Sequence, residues 1–122
     1  MPLPSDKPAN RLEDIIENIR AVFRYTAGMD STAFEEDRKT YDAVERCLER
    51  ISEAVTKLGD LAPILMPGQP WQKIRALSNR LRHEYDAISE DRIWVIVQTD
   101  LRAPCSACED AVRRLERGEA PL

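Results

Sequence analysis

Apolar residues recur along most of this chain at spacings of three and four, the period of a helix that buries one face. Leu12, Ile15, Ile16, Ile19, Val22, Phe23 and Thr26 set the first such stripe. Asn10 stands where a cap is needed, Glu13 completes a capping box with it, and Gly28 ends the helix. The strictest period runs over residues 32–58, where Phe34, Tyr41, Val44, Leu48, Ile51, Val55 and Leu58 step by seven and then by threes and fours. One continuous helix over that span would be about 40 Å long, capped by Asp30 or Ser31 and stopped by Gly59. Its other face carries Glu35, Glu36, Arg38, Lys39, Glu45, Arg46, Glu49 and Arg50, which reads as a solvated surface laced with ion pairs.

Between these stripes the pattern breaks where proline and glycine collect. Residues 1–9, with Pro2, Pro4 and Pro8, read as an irregular leader, which leaves 10–118 as a single folded domain. Residues 61–69 contain Pro63, Pro67 and Gly68 and read as irregular, with Ile64, Leu65 and Met66 folding back on the end of the bundle. Pro70 suits the first position of a third helix over 70–88, whose inward stripe is Ile74, Leu77, Leu81, Tyr85 and Ile88. Ser89 can cap a fourth helix over 90–102; its run at 93–97 is locally strand-like, but a single short strand would have no partner, so helix is preferred. Pro104 forces a break or kink, and 107–117 resumes a helix with Cys108, Val112 and Leu115 inward. The fold class that follows is all-α, an antiparallel bundle of four to five helices, and its long heptad helix suggests a two-fold dimer.

Composition narrows the chemistry. The chain has 122 residues, room for one modest core, with 33% charged and 6% aromatic residues. A formal net charge of -4 argues against sequence-blind affinity for nucleic acid, so any such site must be local. The third helix offers one: Lys73, Arg75, Arg80 and Arg82 come with no acid between them, and the chain's single histidine, His83, follows. At helical pitch Arg75, Asn79, Arg82 and His83 fall within roughly a 100° arc away from the buried stripe. Such a face fits ordinary solvated decoration; it also fits a phosphodiester site, where guanidinium groups hold a phosphate while an imidazole moves a proton.

The three cysteines cannot all pair within one chain, and no secretory segment opens it, so a reducing cytoplasm is expected. Cys105 and Cys108 form a C-x-x-C pair that reads as helix-face spacing, or as half of a zinc site needing two further ligands. No carboxylate cluster has ligand spacing, so neither metal nor cofactor is expected. The longest apolar run is far too short to cross a membrane. Trp71 and Trp94 flank the third helix and read as core or interface anchors, with base stacking as the alternative.

Trp71, Ile74, Asn79-Arg80-Leu81, His83, Tyr85-Asp86, Ile93-Trp94 and Asp100-Leu101 together resemble the HepT-like toxins of the HEPN superfamily. Upstream, Phe34, Asp37, Thr40, Asp42-Ala43-Val44, Arg46, Leu48, Ile51 and Glu53-Ala54 resemble that family's second helix. The resemblance spans about residues 12–101. It implies an all-helical dimer and a metal-independent endoribonuclease whose two histidine helices line one RNA cleft. His83 and Asn79 would then be catalytic and Arg82, Arg80 and Lys73 would bind RNA. The arginine expected before Asn79 is Ser78 here, with Arg75 one turn earlier as a possible replacement, and the residue after His83 is Glu84 where glycine is often found. In such proteins the tyrosine matching Tyr85 is adenylylated by a partner nucleotidyltransferase antitoxin of the MntA type, which silences the toxin and can assemble with it into higher-order complexes. The alternative is a catalytically weakened dimer that acts as a binding subunit for a nucleotidyltransferase or a nucleotide.

Overall fold

The computed structural model describes residues 7–83 and 90–119, with the backbone alone for 78–83 and 90–91. Seven helices and no strand occur among the described residues: α1 (Pro8–Thr26), α2 (Ser31–Glu36), α3 (Arg38–Leu58), α4 (Leu61–Leu65), α5 (Trp71–His83), α6 (Glu90–Thr99) and α7 (Arg102–Glu116). The all-α bundle expected from the periodicity is what forms, its longer helices joined by two short ones. No helix among the described residues is long and apolar enough to cross a membrane.

Helix α3 is the central element, packed by α1 on one flank and α5 on the other, while α7 covers α1. The buried set is the one the stripes imply: Leu12, Ile15, Ile19 and Val22 from α1 meet Val44, Leu48, Ile51 and Val55 from α3. Each such aliphatic side chain contributes roughly 1.5–3 kcal/mol by leaving water. Polar ties lock the outer helices onto this core. Arg20 of α1 pairs with Glu109 of α7, and Arg114 Nη2 of α7 donates to the Leu65 carbonyl at 2.6 Å.

Four local readings are corrected by the structure. Helix α1 starts at Pro8, inside the stretch read as leader, because proline's preset φ suits the first turn; Asn10 is therefore already helical and Lys7 takes the cap position. The single helix over 32–58 is two. Asp37 adopts φ -103° and ψ 86°, and its carboxylate accepts from the Thr40 amide at 3.0 Å and the Thr40 hydroxyl at 2.8 Å. An aspartate that captures the amide three residues on ends one helix and caps the next. The break lets Phe34 swing fully inside, its ring 5.7 Å from Tyr41 and 5.2 Å from Trp94.

Residues 61–65, read as irregular, form the short α4, with Pro63 in a first turn that needs no amide donor. Leu65 and Met66 fold back as expected, whereas Ile64 stays exposed. Pro104 likewise sits in the first turn of α7, which begins at Arg102, and the chain turns at Asp100 and Leu101 instead. The strand-like run at 93–97 is helical, with Ile93 and Val97 buried.

Candidate functional site

Helix α5 is positioned from its amino end. Trp71 is buried and its Nε1 donates to the Met66 carbonyl at 2.9 Å, so the indole fastens the start of α5 to the end of α4. One turn on, the buried Ser52 hydroxyl of α3 donates to the Arg75 carbonyl at 2.8 Å. Since α5 starts beside the segment that leaves the end of α3, the two helices run antiparallel, and this bond sets their register. Ile74 is buried and Leu77 half-buried against α3, while Lys73, Arg75 and Ala76 are exposed. The amphipathic division read from the sequence therefore holds over the part of α5 whose side chains are described.

The candidate residues divide accordingly. Arg75 lies on an exposed flank of α5. Lys73 leaves the helix on the other flank, at the mouth of a groove. Asn79, Arg80, Arg82 and His83 belong to the helical backbone of α5, and their side chains lie outside the described residues, as does Tyr85 altogether.

That groove is the feature the sequence reading missed. It encloses about 350 Å³ between α5 and α6 over a floor from α3, with Leu48, Ile51, Ile74, Leu77 and Ile96 as its apolar lining. Lys73, Arg92 and Asp100 stand among its polar lining. One signal was available: Ile96 beside Val97 makes the apolar stripe of α6 wider than a single buried face requires.

A second residue also departs from its expected place. Glu45, read as part of a solvated face, is half-buried on α3, and its Oε2 is enclosed with no hydrogen-bond partner among the described residues. Burial first, and then the Glu49 carboxylate, hold its carboxyl above the usual range, against a hydrogen bond from Tyr41. Glu45 precedes Ser52 by seven residues as Arg82 follows Arg75 by seven, so the antiparallel register places it at the level of the end of α5.

The C-x-x-C pair is absorbed elsewhere. Cys105 and Cys108 are both buried thiols on α7, the helix that packs on α1, and Cys47 is buried on α3. Burial pushes the Cys108 thiol up to about 12 and raises Cys105 as well, so both are protonated at neutral pH and make poor nucleophiles. Among the described residues no group of His, Cys, Asp and Glu side chains is arranged to hold a metal ion.

A small all-helical bundle, with Arg75 exposed on one flank of α5, is the class this geometry defines. Residues 15–114 match the family described as "Ribonuclease HepT-like", and the chain belongs to that HepT-like family. It is 33% identical over 105 residues, 86% of its length and 87% of the relative's, to the "Putative RNase MJ0127" of Methanocaldococcus jannaschii. It is 32% identical over 90 residues, 74% of its length and 82% of the relative's, to the "Probable ribonuclease HepT" of Thermococcus cleftensis. No solved structure matches.

Proposed function

We propose that this protein is a metal-independent endoribonuclease that acts as a homodimer, the toxin of a toxin–antitoxin pair in the cytoplasm. The observation that carries the reading is the exposed flank of α5. Within a chain of the HepT-like family, the helix bearing Asn79 and His83 is anchored by Trp71 and Ser52 on its buried side, and Arg75 is open to solvent on its other side.

In this reading two copies of α5 meet across the dimer. One imidazole cannot readily serve as acid and base in the same step, but two His83 rings, one from each protomer, divide the work. One takes the proton of the RNA 2′-OH as O2′ bonds to the adjacent phosphorus; the other delivers a proton to O5′ as the P–O5′ bond breaks. Asn79 orients the phosphate, Arg75 or Arg82 stabilises the charge that develops on it, and Lys73 and Arg80 hold the flanking strand. A nucleotidyltransferase antitoxin silences the enzyme by adenylylating Tyr85, which sets an extra negative phosphate beside the cations that would hold RNA.

Ser78 favours a second reading. The chain lacks the arginine that the family pattern places before Asn79, which fits a weakened dimer kept for binding a nucleotidyltransferase or a nucleotide. Cleavage of bulk RNA by the wild type, His83→Ala and Ser78→Arg separates the two. The nuclease reading expects wild-type cleavage without added metal and a loss of at least about a hundredfold in His83→Ala. Cleavage that appears only in Ser78→Arg supports the binding subunit. Equal rates in wild type and His83→Ala would sink the nuclease assignment.

A further inference from the structure

Two side chains from different helices grip consecutive carbonyls in the segment that joins α4 to α5. Trp71 Nε1, at the start of α5, donates to the Met66 carbonyl at 2.9 Å, and Arg114 Nη2, near the end of α7, donates to the Leu65 carbonyl at 2.6 Å. Resting on the nuclease reading above, we infer that Arg114 is a positioning residue for that reaction: from α7 it fixes the turn on which α5, the helix of Asn79 and His83, is mounted. The turn needs such a grip, since α4 is five residues long, too short to persist without tertiary contacts. Its last helical bond, from the Met66 amide to the Ala62 carbonyl at 3.0 Å, leaves the later carbonyls to other donors. Pro70, which has no N–H, stands where a continued helix would supply the Met66 carbonyl, and the indole takes that place. Leu65 and Met66 are both buried, so a bond left unmade there costs more than one at the surface.

The Arg114 side chain is held ready for this contact. Its Nε donates to Asp110 Oδ2 at 3.1 Å, one turn earlier on α7, which orients the planar guanidinium and leaves Nη2 for Leu65. A charged donor makes the bond short and strong, and only a forked guanidinium can make both contacts at once. Leverage then carries a small slack at the turn to the far end of α5. Without Arg114 the Trp71 indole would hold α5 to a loosened turn, and the Ser52 bond to the Arg75 carbonyl at 2.8 Å would become a pivot. The His83 backbone lies eight residues beyond Arg75, roughly 12 Å along the axis, so a tilt of about 5° moves it by about 1 Å. A displacement of that size at a reacting group slows a reaction by about tenfold or more. Binding of RNA spreads over several contacts and suffers less, so the loss falls on kcat and not on KM.

The test is cleavage of RNA by the full chain, normalised to folded protein, in wild type, Arg114→Ala, Asp110→Asn and Arg113→Ala, with exchange of the Trp71 indole N–H followed by NMR. Arg114→Ala should lower kcat by about tenfold or more with KM within about twofold, and its Trp71 N–H should exchange faster. Added methylguanidinium should restore part of the rate, because the Arg114 side chain is 33% exposed and its place is open to a small cation. Asp110→Asn leaves the guanidinium but orients it less well, so a loss of about threefold in the same direction is expected. Arg113→Ala, which removes a cation 3.9 Å from the same Asp110, should match the wild type in both readouts. A wild-type kcat in Arg114→Ala overturns the inference and leaves the nuclease standing, and so does an equal loss in Arg113→Ala, which would assign the effect to bulk charge. If Arg114→Ala does not fold, Asp110→Asn decides by the same two readouts. A wild type that cuts no RNA overturns the nuclease reading and the role drawn from it.

Discussion

The two sides of α3 are held in different ways. Toward α1 and α7, fully buried aliphatic residues interlock and polar ties such as Arg20 with Glu109 bind one helix to the next. Toward α5 and α6, the described ties are the Trp71 indole at the start of α5 and the Ser52 hydroxyl one turn later, and beyond them a groove opens. Stability is concentrated on the first side; the second trades packing for an open groove and an exposed flank at Arg75. The described anchors of α5 both lie in its amino-terminal half, while the positions proposed to be catalytic, Asn79 and His83, lie in the other.

The hardest test of that division is to remove the same atoms from both sides. Ile19→Ala, in the fully buried face of α1, should lower stability by about 2–5 kcal/mol in urea denaturation. Ile96→Ala, in the half-buried groove wall, should lower it by about 1 kcal/mol or less. Equal losses would show that the α5–α6 side is as much core as the other. A smaller effect sharpens the boundary between them. Ser52→Ala removes the bond to the Arg75 carbonyl and should lower the denaturation midpoint by the equivalent of about 1 kcal/mol. That carbonyl keeps its helical amide donor, so a much larger loss would mean Ser52 supports more than the register of α5.

How far the sequence foretold this division depends on what each feature rests upon. The stripes of α1 and α3 were legible because each helix buries one face, and the inward residues named from spacing alone are buried, Phe23 only in part. The break at Asp37 was hidden because a seven-residue step from Phe34 to Tyr41 looks like a heptad, while the deciding contact is a carboxylate reaching Thr40. Pro63 and Pro104 misled in the same direction, since proline that disrupts a helix interior is at ease in a first turn. The exposed flank at Arg75 followed from periodicity, but the catalytic roles proposed for Asn79 and His83 come from resemblance and not from spacing. The groove was the least legible feature: the wide apolar stripe of α6 hinted at it, but a gap between helices takes its size from how α5 and α6 lie over α3.

The smallest effects concern two carboxylates, one on α3 and one capping it, that the fold treats in opposite ways. Glu45 is held above its ordinary pKa by burial, so the folded state disfavours its charged form. Its contribution to stability therefore grows as pH falls through its folded pKa toward the unfolded one and is lost as pH rises. Glu45→Gln, neutral at every pH, should then melt slightly above the wild type at neutral pH, by less than the Ser52 effect, with the gain vanishing at acid pH. Asp37 is lowered, first by the Thr40 amide and then by the Thr40 hydroxyl. Its stabilising effect is present above the unfolded pKa and disappears as pH drops through the folded value. Asp37→Asn can still cap α3, so it should keep most of the neutral-pH stability while flattening the acid limb. Melting temperatures of the two variants across pH should thus diverge from the wild type with opposite slopes. A Glu45→Gln curve parallel to the wild type would mean that this half-buried carboxylate is solvated as well as any on the surface, and that the α5-facing side of α3 is wetter than its packing implies.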